Sequence, residues 1–182
     1  MDKKGLTLIE VMISLALLGI ILVALTHAAV IIIKSNAQLE HRKTALTLAQ
    51  GTITTLNSLP YTSQLLSDTE SDTTFLNSPS PDPDGDGNVY ILDKDHNGSY
   101  SSTDINDEGD ASKGIDHPTG SINYSSIQPI EKIGSVTYYK IWGIKTLTDE
   151  KRITVVVYWF KRGFTDAQHS HYVSLTTYKR RP

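Results

Sequence analysis

The sequence predicts an α+β protein in which one long N-terminal helix packs on a small antiparallel sheet. Three observations predict this class. The chain has no proline before Pro60, three β-rich runs follow one another in its last third, and a polar, acidic segment separates the two regions. The 182 residues give room for one ordinary domain and an extension.

The net charge of −3 conceals an uneven distribution of charge. Between residues 68 and 116 the chain has 13 acidic residues and two lysines, so this segment carries −11 and the remainder +8. A charge this concentrated is typical of a solvated acidic loop or of a cation site. The overall charge is too mild to indicate a nucleic-acid binder. The absence of cysteine excludes disulfides, a thiol catalyst and a thiolate metal site.

The first third contains an apolar run long enough to cross a membrane. Residues 11–33, VMISLALLGIILVALTHAAVIII, are 23 positions with no residue that is charged at pH 7, and a helix needs roughly 20 residues to span a bilayer. Lys3 and Lys4 precede the run, so the positive-inside rule predicts a single-pass helix with a cytoplasmic N-terminus. The run is too long for a cleaved secretory signal.

Glu10 stands at the start of this apolar run. No lysine or arginine lies on the turns that follow it, and carboxylates within a membrane usually have a partner. One interpretation is a signal-anchor helix with an incidental glutamate near its cytoplasmic end. The other is that the partner of Glu10 comes from outside its own helix.

The helical pattern continues past the apolar run to Leu59, and Pro60 then ends it. Residues 34–59 have apolar side chains at helical spacing, which predicts an amphipathic half suited to packing on a domain. The predicted apolar stripe comprises Leu39, Leu46, Ala49, Ile53 and Leu56, and the predicted opposite face comprises Lys43, Thr47, Gln50, Thr54 and Asn57.

The region 117–182 is predicted to form the antiparallel sheet. Runs 136–145, 152–160 and 171–179 contain the branched and aromatic residues that are typical of strands. Short connections between them favour a meander. One face of the second run is expected to cover the apolar stripe of the helix, and its side chains are Ile153, Val155, Val157 and Trp159.

An acidic repeat, residues 82–116, follows a surface loop rich in serine and threonine at 60–81. It repeats with a step of eleven residues: DPDGDGNVYIL, DKDHNGSYSST and DINDEGDASKG. The first two units match the calcium-loop pattern, with acidic or amide oxygens at positions 1, 3 and 5, glycine at 6 and an acid at 12. The third unit is degenerate.

The predicted calcium ligands form two loops that share Asp93. The first loop comprises Asp82, Asp84, Asp86, Asn88 and Asp93, and the second comprises Asp93, Asp95, Asn97, Ser99, Ser101 and Asp104. The eleven-residue step leaves no room for helices, which excludes an EF-hand domain. A structural Ca²⁺ that orders the insert is favoured over a solvated acidic loop, because random acidity would not repeat the glycine and apolar places in register.

The N-terminal residues resemble the leader and cleavage motif of type IV prepilins and type II secretion pseudopilins. The match consists of Lys3-Lys4-Gly5, then LTLIEV, then the long apolar run. In that family a prepilin peptidase cuts after the glycine and N-methylates the new first residue. The resemblance implies a leader at residues 1–5, cleavage between Gly5 and Leu6, N-methylation of Leu6, a transmembrane and assembly helix from 6 to 33, and an assembly role for Glu10. Phenylalanine is usual where this chain has Leu6.

Cleavage after Gly5 would supply a charged partner for Glu10. The new α-amine of Leu6 has a reference pKa of about 8, so it is largely cationic at neutral pH, and methylation keeps that charge. When such helices bundle, Glu10 of one subunit can meet the amine of its neighbour. An unpaired carboxylate is costly in low dielectric, so this contact would favour one axial register.

Similarity extends beyond the N-terminus. Residues 42–61 resemble the helix end of PilV-type minor pilins and I-type minor pseudopilins, and residues 151–159 and 172–178 are similar to the last two strands of that group. The resemblance implies a minor type IV pilin held in the inner membrane, processed by prepilin peptidase, and then incorporated with other pilins, through the N-terminal helix, into a periplasmic or extracellular pilus. Assembly priming or a tip position is implied, with adhesion, motility or DNA uptake as roles. No DNA or surface ligand follows from it.

Two alternatives remain at this point. A minor pseudopilin of a type II secretion system shares every N-terminal feature. An uncleaved, membrane-anchored calcium-binding protein would share the apolar run and the acidic repeat without the processing.

Two smaller features are weaker indicators of function. His169 and His171 lie on one strand face, as a metal pair or, more simply, as exposed edge histidines. The basic residues 179–181 are typical of a solvated terminus. The sequence contains no nucleophile–base–orienter arrangement and no phosphate-cradling glycine loop, so no enzyme activity is expected.

Overall fold

The protein is described by a computed structural model that covers residues 7–68, 124, 126–160 and 170–182. The elements in chain order are α1 (Leu8–Ser58), a 3-10 helix (Gln64–Leu66), β1 (Ile130–Ile133), β2 (Val136–Thr146), β3 (Glu150–Phe160) and β4 (Ser170–Arg180). The chain divides into two compact units, Met1–His41 and Arg42–Pro182. The predicted α+β class is confirmed, since α1 packs on a small antiparallel sheet in the second unit.

In the first unit, α1 is apolar on all sides from residue 11 to residue 33. Its most apolar window of 18 residues has a mean hydropathy of 2.8 and no buried residue, and among the described residues α1 is the one helix long and apolar enough to cross a membrane. Hydroxyl groups in the run bond to the helix itself, because Ser14 Oγ donates to Glu10 O and Thr26 Oγ1 donates to Leu22 O, each at 2.8 Å. These two hydroxyl groups are therefore satisfied within the helix and need no partner from a hydrocarbon environment.

The sheet of the second unit is a four-stranded antiparallel meander in the order β1-β2-β3-β4. The meander confirms the predicted arrangement, but β1 was not predicted. Ile133 pairs directly with Val136, and the two residues between them begin with Gly134 at φ +62°. A two-residue hairpin of this kind needs a positive φ at its first position, which glycine adopts without steric cost. The Lys140–Glu131 ion pair, 2.8 Å from Nζ to Oε2, adds a side-chain contact between β1 and β2.

The helix packs on the sheet through small residues. The buried positions of α1 are Ala45, Ala49, Thr52 and Leu56, and they share one core with Ile153, Val155, Val157 and Trp159. The sheet face is therefore the predicted one. The predicted helix stripe is partly wrong: Leu39 is 60% exposed, and Leu46 and Ile53 lie at the margin of the core. The alanines point at the sheet because their short side chains let the two backbones approach. The opposite face is exposed as predicted, at Lys43, Thr47, Gln50, Thr54 and Asn57.

Polar groups at this interface are satisfied. Thr52 Oγ1 donates to Leu48 O at 2.9 Å, so the hydroxyl enters the core already bonded to its own helix. Tyr138 of β2 is almost fully buried. Burial raises the pKa of its phenol, and a hydrogen bond with Thr44 of α1 opposes that shift. Tyr138 is therefore neutral at physiological pH and binds helix to sheet through its hydroxyl.

The segment after α1 is anchored to the sheet by the 3-10 helix. Ser63 caps it by accepting a hydrogen bond from Leu65 N at 3.3 Å. Leu65 and Leu66 are buried, and Trp142 Nε1 donates to Leu65 O at 3.1 Å. A surface loop was predicted here from the serine and threonine content, and the two leucines are the signal that distinguishes its anchored beginning.

Lys151 of β3 also binds this segment through its side-chain amine. Its Nζ donates to Tyr61 O at 3.0 Å and to Leu66 O at 2.7 Å, and it lies 4.5 Å from the centre of the Tyr61 ring. Burial lowers the pKa of the Lys151 amine, and the negative charge of Asp68 partly opposes this shift. The unfolded chain therefore binds this proton more tightly than the folded chain, so this group makes the free energy of unfolding rise as pH increases towards the ordinary range of lysine.

Substitution of Lys151 by methionine is expected to lower the free energy of unfolding by about 1–3 kcal/mol, because one buried and one partly buried carbonyl lose their donor while the aliphatic stem is kept. Urea denaturation of the full chain in non-ionic detergent measures the change. Lys132→Met is the matched control: Lys132 is an exposed lysine of β1, and its replacement should change the free energy by less than about 0.5 kcal/mol. Equal effects of the two substitutions would contradict the anchoring role of Lys151.

The sheet face away from α1 carries a second apolar cluster. Ile130, Ile141, Val156 and Tyr158 are buried there. Tyr139 stacks on Tyr158 with ring centroids 5.2 Å apart, and both contact Phe160 edge-on. The half of the sheet that adjoins β1 therefore has buried apolar residues on both faces, which accounts for the nearly continuous apolar run from Val155 to Phe160 in β3.

Candidate processing and assembly site

The beginning of α1 brings Glu10 back onto Thr7. Glu10 Oε2 accepts hydrogen bonds from Thr7 N and from Thr7 Oγ1, both at 2.8 Å, and Glu10 N donates to Thr7 Oγ1 at 3.4 Å. Val11 N also donates to Thr7 O at 3.3 Å. Thr7 is thus the N-cap of the helix and Glu10 its third residue, which is the geometry of a capping box.

This capping box changes the interpretation of Glu10. One of the two interpretations placed its partner outside the helix, but Thr7 provides two hydrogen-bond donors within it. The signal was present as Thr-x-x-Glu at residues 7–10. Both donors are neutral, so they satisfy the oxygen atom without balancing the negative charge. Charge neutralisation by a neighbour's amine stays a prediction.

The surroundings of Glu10 are apolar and exposed. Leu8 is 79% exposed and Ile9 66%, and Val11 and Met12 are exposed as well. A carboxylate in the middle of such a surface would be desolvated if the surface were covered by lipid or by other helices. Any assembly that buries this face must therefore supply a positively charged partner for the Glu10 carboxylate or neutralise it. Gly5 and Leu6, the predicted cleavage and methylation residues, lie outside the described residues.

Comparison with known proteins gives one finding for this region. A family model described as the prokaryotic N-terminal methylation motif matches residues 1–26. The match supports a type IV prepilin-like family. It spans Lys3, Lys4, Glu10 and most of the apolar run, and the family that carries the motif is structural and non-enzymatic. Neither the curated proteins nor the solved structures gave a match.

The motif and the helix together fit a pilin anchored in the inner membrane. Assembly with other pilins and processing by prepilin peptidase are what the family suggests for such an N-terminal helix. Within residues 7–41 the geometry agrees, because the apolar surface is exposed on every side of α1 and holds one capped carboxylate at its start.

The predicted metal sites fall elsewhere. All of the proposed calcium ligands, from Asp82 to Asp104, lie outside the described residues, as does His169. His171 is exposed and its ring centroid lies 5.7 Å from that of Trp159, its direct partner on β3. Across residues 7–68, 126–160 and 170–182, no group of three or more His, Cys, Asp or Glu residues could hold a metal ion.

Proposed function

We propose that this chain is a minor type IV pilin. It is cut by prepilin peptidase between Gly5 and Leu6, N-methylated on Leu6, and incorporated with other pilins into a pilus, where it primes assembly or occupies the tip. The observation that carries the proposal is the methylation motif at residues 1–26, which continues into an exposed apolar helix and then into a helix-on-sheet unit.

The structural support comes from the two different halves of α1. Residues 8–33 expose large apolar side chains, which suits membrane insertion first and helix bundling afterwards. Residues 45–56 instead bury a stripe of small residues on a four-stranded sheet. A pilus subunit needs one segment that contacts lipid or other helices and one separately folded unit, and this chain has both.

Mass spectrometry of the intact protein from its native host tests the processing step. The expected chain begins at Leu6 and carries one additional methyl group on its α-amine. Gly5→Leu should leave the leader attached. Gly19→Leu is the matched control, because a side chain added at Gly19 meets no atom within 4 Å, and it should be processed normally. A native chain that begins at Met1 or Asp2 would refute the proposal and would favour the uncleaved, membrane-anchored calcium-binding protein.

A minor pseudopilin of a type II secretion system is the second candidate, because the N-terminal motif serves both assemblies. The neighbouring genes separate the two, since pilus-assembly genes favour the pilin and secretin-pathway genes favour the pseudopilin. Deletion of the gene gives a functional readout. Loss of surface pili with normal protein secretion supports the minor pilin, and the reverse result supports the pseudopilin.

We also propose that the acidic insert binds calcium as a structural ion. The supporting observation is the repeated spacing of Asp82, Asp84, Asp86 and Asp93 and of the second loop that begins at Asp93. Loops of this type outside the cytosol bind Ca²⁺ with dissociation constants on the order of 10⁻⁴–10⁻³ M. The ion would order the insert and would have no catalytic role.

Chelation of calcium is expected to speed proteolysis within residues 62–120 several-fold, because the repelling carboxylates lose their common ligand. Calcium should restore resistance and magnesium should not, since Mg²⁺ demands a tighter octahedral site. Asp93→Asn should mimic chelation because both loops share Asp93, whereas Asp116→Asn, outside both loops, should not. Unchanged resistance together with no calcium in elemental analysis of the purified protein would refute the proposal.

A further inference from the structure

The outer face of the sheet, which is the face away from α1, is buried more completely than one sheet face can bury itself. Ile141 and Val156 are 0% exposed there, and Thr154 is 1% exposed. Gly143 is the register partner of Thr154 and the next residue after Ile141 on this face, and it has no side chain to shield either neighbour. Side chains on one face of a sheet escape solvent only under another layer of chain. A further layer therefore covers the outer face.

The described helices are not that layer. α1 and the 3-10 helix share their core with Trp142 and Val155, which lie on the face towards α1. Within the described part of the chain, the cluster on the outer face contains residues of β1, β2 and β3 only. The structure contains one copy of the chain, so the layer belongs to the same molecule. Two long segments remain for it in the compact unit 42–182, residues 69–123 and residues 161–169.

The connection between β3 and β4, residues 161–169, fits the buried area poorly. It starts and ends at Phe160 and Ser170, which are register partners, so it must return to its starting point. At about 3.6 Å per residue it reaches roughly 18 Å out and back when fully extended. Thr154 lies about 20 Å along β3 from Phe160. Tyr172, close to the connection on the same face, is 48% exposed, whereas the more distant positions are covered. These distances favour residues 69–123.

Residues 69–123 leave and rejoin the described structure beside the buried area. Asp68 Oδ2 accepts a hydrogen bond from Thr146 N at 2.7 Å, and Thr146 lies three residues from Gly143 on β2. At the other end, the Tyr124 ring meets that of Trp142 edge-on at 5.7 Å. Both ends are thus attached to β2, and the 55 residues between them are long enough to cross the face.

One part of this segment suits an apolar surface. Val89–Leu92, with the sequence VYIL, is the one run of four consecutive apolar or aromatic residues between positions 69 and 123. It stands in surroundings that are otherwise acidic or rich in serine and threonine, so burial of this run is where the segment gains most from leaving water. The charges are complementary as well. The segment 68–116 carries −11, and Lys132 and Arg180 are exposed cations at the margins of the outer face.

We propose that the acidic insert packs across the outer face of the sheet, with Val89–Leu92 against Ile141, Val156 and Tyr158. The run contains none of the predicted calcium ligands, so the packing is compatible with calcium binding and does not require it. The insert is then a structural layer of the folded unit, and its acidic loops are held on the side of the sheet opposite α1.

Methyl nuclear magnetic resonance of the full chain in non-ionic detergent tests the packing directly. Nuclear Overhauser effects are expected between the methyl groups of Ile91 or Leu92 and those of Ile141 or Val156. Spectra with calcium and with a chelator keep this test separate from the calcium proposal. Absence of these effects under both conditions would overturn the packing, and so would effects that link Ile141 and Val156 to Phe164 instead.

A substitution in the run gives an independent measurement. Leu92→Ser is expected to raise the equilibrium constant for unfolding at least tenfold, because a polar side chain replaces an apolar one against a buried surface. Leu76→Ser is the matched control, since it is the same change in the same segment outside the run, and it should alter the constant less than threefold. Urea denaturation of the full chain in detergent measures both, and equal effects would contradict the proposal. If Leu92→Ser does not fold, Leu92→Ala against Leu76→Ala gives the same comparison.

Discussion

Replacement of Trp142 by alanine is expected to lower the free energy of unfolding by about 3–5 kcal/mol. Trp142 of β2 is fully buried in the core between α1 and the sheet. Its ring meets Tyr124 edge-on at 5.7 Å, and its Nε1 donates to Leu65 O. The substitution would therefore open a cavity, remove an aromatic pair and leave a buried carbonyl without its donor.

One further variant isolates the hydrogen-bond part of this loss, and a second serves as the control. Trp142→Phe keeps most of the ring and removes the donor, so it should cost about 1–3 kcal/mol. Tyr178→Ala, at an aromatic residue that is 54% exposed on β4, should cost less than about 1 kcal/mol. Urea denaturation of the full chain in non-ionic detergent can be followed by fluorescence of Trp159, which remains in every variant. A loss below 1 kcal/mol for Trp142→Ala would show that the core does not depend on this side chain.

Glu10→Gln is expected to reduce co-purification of the processed subunit with other pilins at least tenfold. This rests on the proposed function. The glutamine side chain can still accept the hydrogen bonds from Thr7 N and Oγ1, so the helix cap is kept while the negative charge is lost. Breaking a buried ion pair costs more than about 1.4 kcal/mol, which is a factor of ten in an equilibrium.

Thr7→Val is the reverse of Glu10→Gln, because it removes part of the helix cap and keeps the negative charge of Glu10. Valine has nearly the shape of threonine and lacks the hydroxyl, so one donor to Glu10 and one acceptor for Glu10 N disappear while the carboxylate stays. If Glu10 acts as the charged partner of a neighbour's amine, Thr7→Val should assemble within about threefold of the unchanged protein. Assembly that fails in Thr7→Val and persists in Glu10→Gln would show that the carboxylate serves the cap alone. Quantitative mass spectrometry of the pilin fraction measures both.

Periodicity was sufficient to predict the fold, because long elements repeat their pattern many times. Alternation along β3 from Ile153 to Trp159 identified the face that covers α1, and Pro60 fixed the end of the helix to within two residues. The exact stripe of α1 was less certain from sequence, since Thr52 is buried and Leu39 is exposed. A threonine whose hydroxyl bonds to its own helix behaves as a small apolar residue, and composition does not reveal that bond.

Short-range geometry accounts for the features that were not predicted. The four residues of β1 include Glu131 and Lys132, which are uncommon in strands, so strand propensity does not predict this element. The strand forms because the turn at Gly134 and the pairing with β2 place it. At the candidate site, the N-terminal methylation motif was recognisable in the residues, and the cleavage after Gly5 and the assembly role of Glu10 stay predictions. The partnership of Glu10 with Thr7 was not predicted, although Thr-x-x-Glu at residues 7–10 is the sequence pattern of a capping box.

The contact between the end of α1 and the end of β4 joins two segments that are synthesised at different times. Asn57 Nδ2 donates to Thr177 Oγ1 at 3.4 Å, and Lys179 donates to Asn57 O. The ribosome makes α1 more than a hundred residues before its partner strand, so the apolar helix can enter the bilayer while β4 does not yet exist. Pairings of such long sequence separation form late and slowly. The contact of β4 with the end of α1 therefore cannot form before the last strand is made, and until then Asn57 O lacks the donor that Lys179 provides.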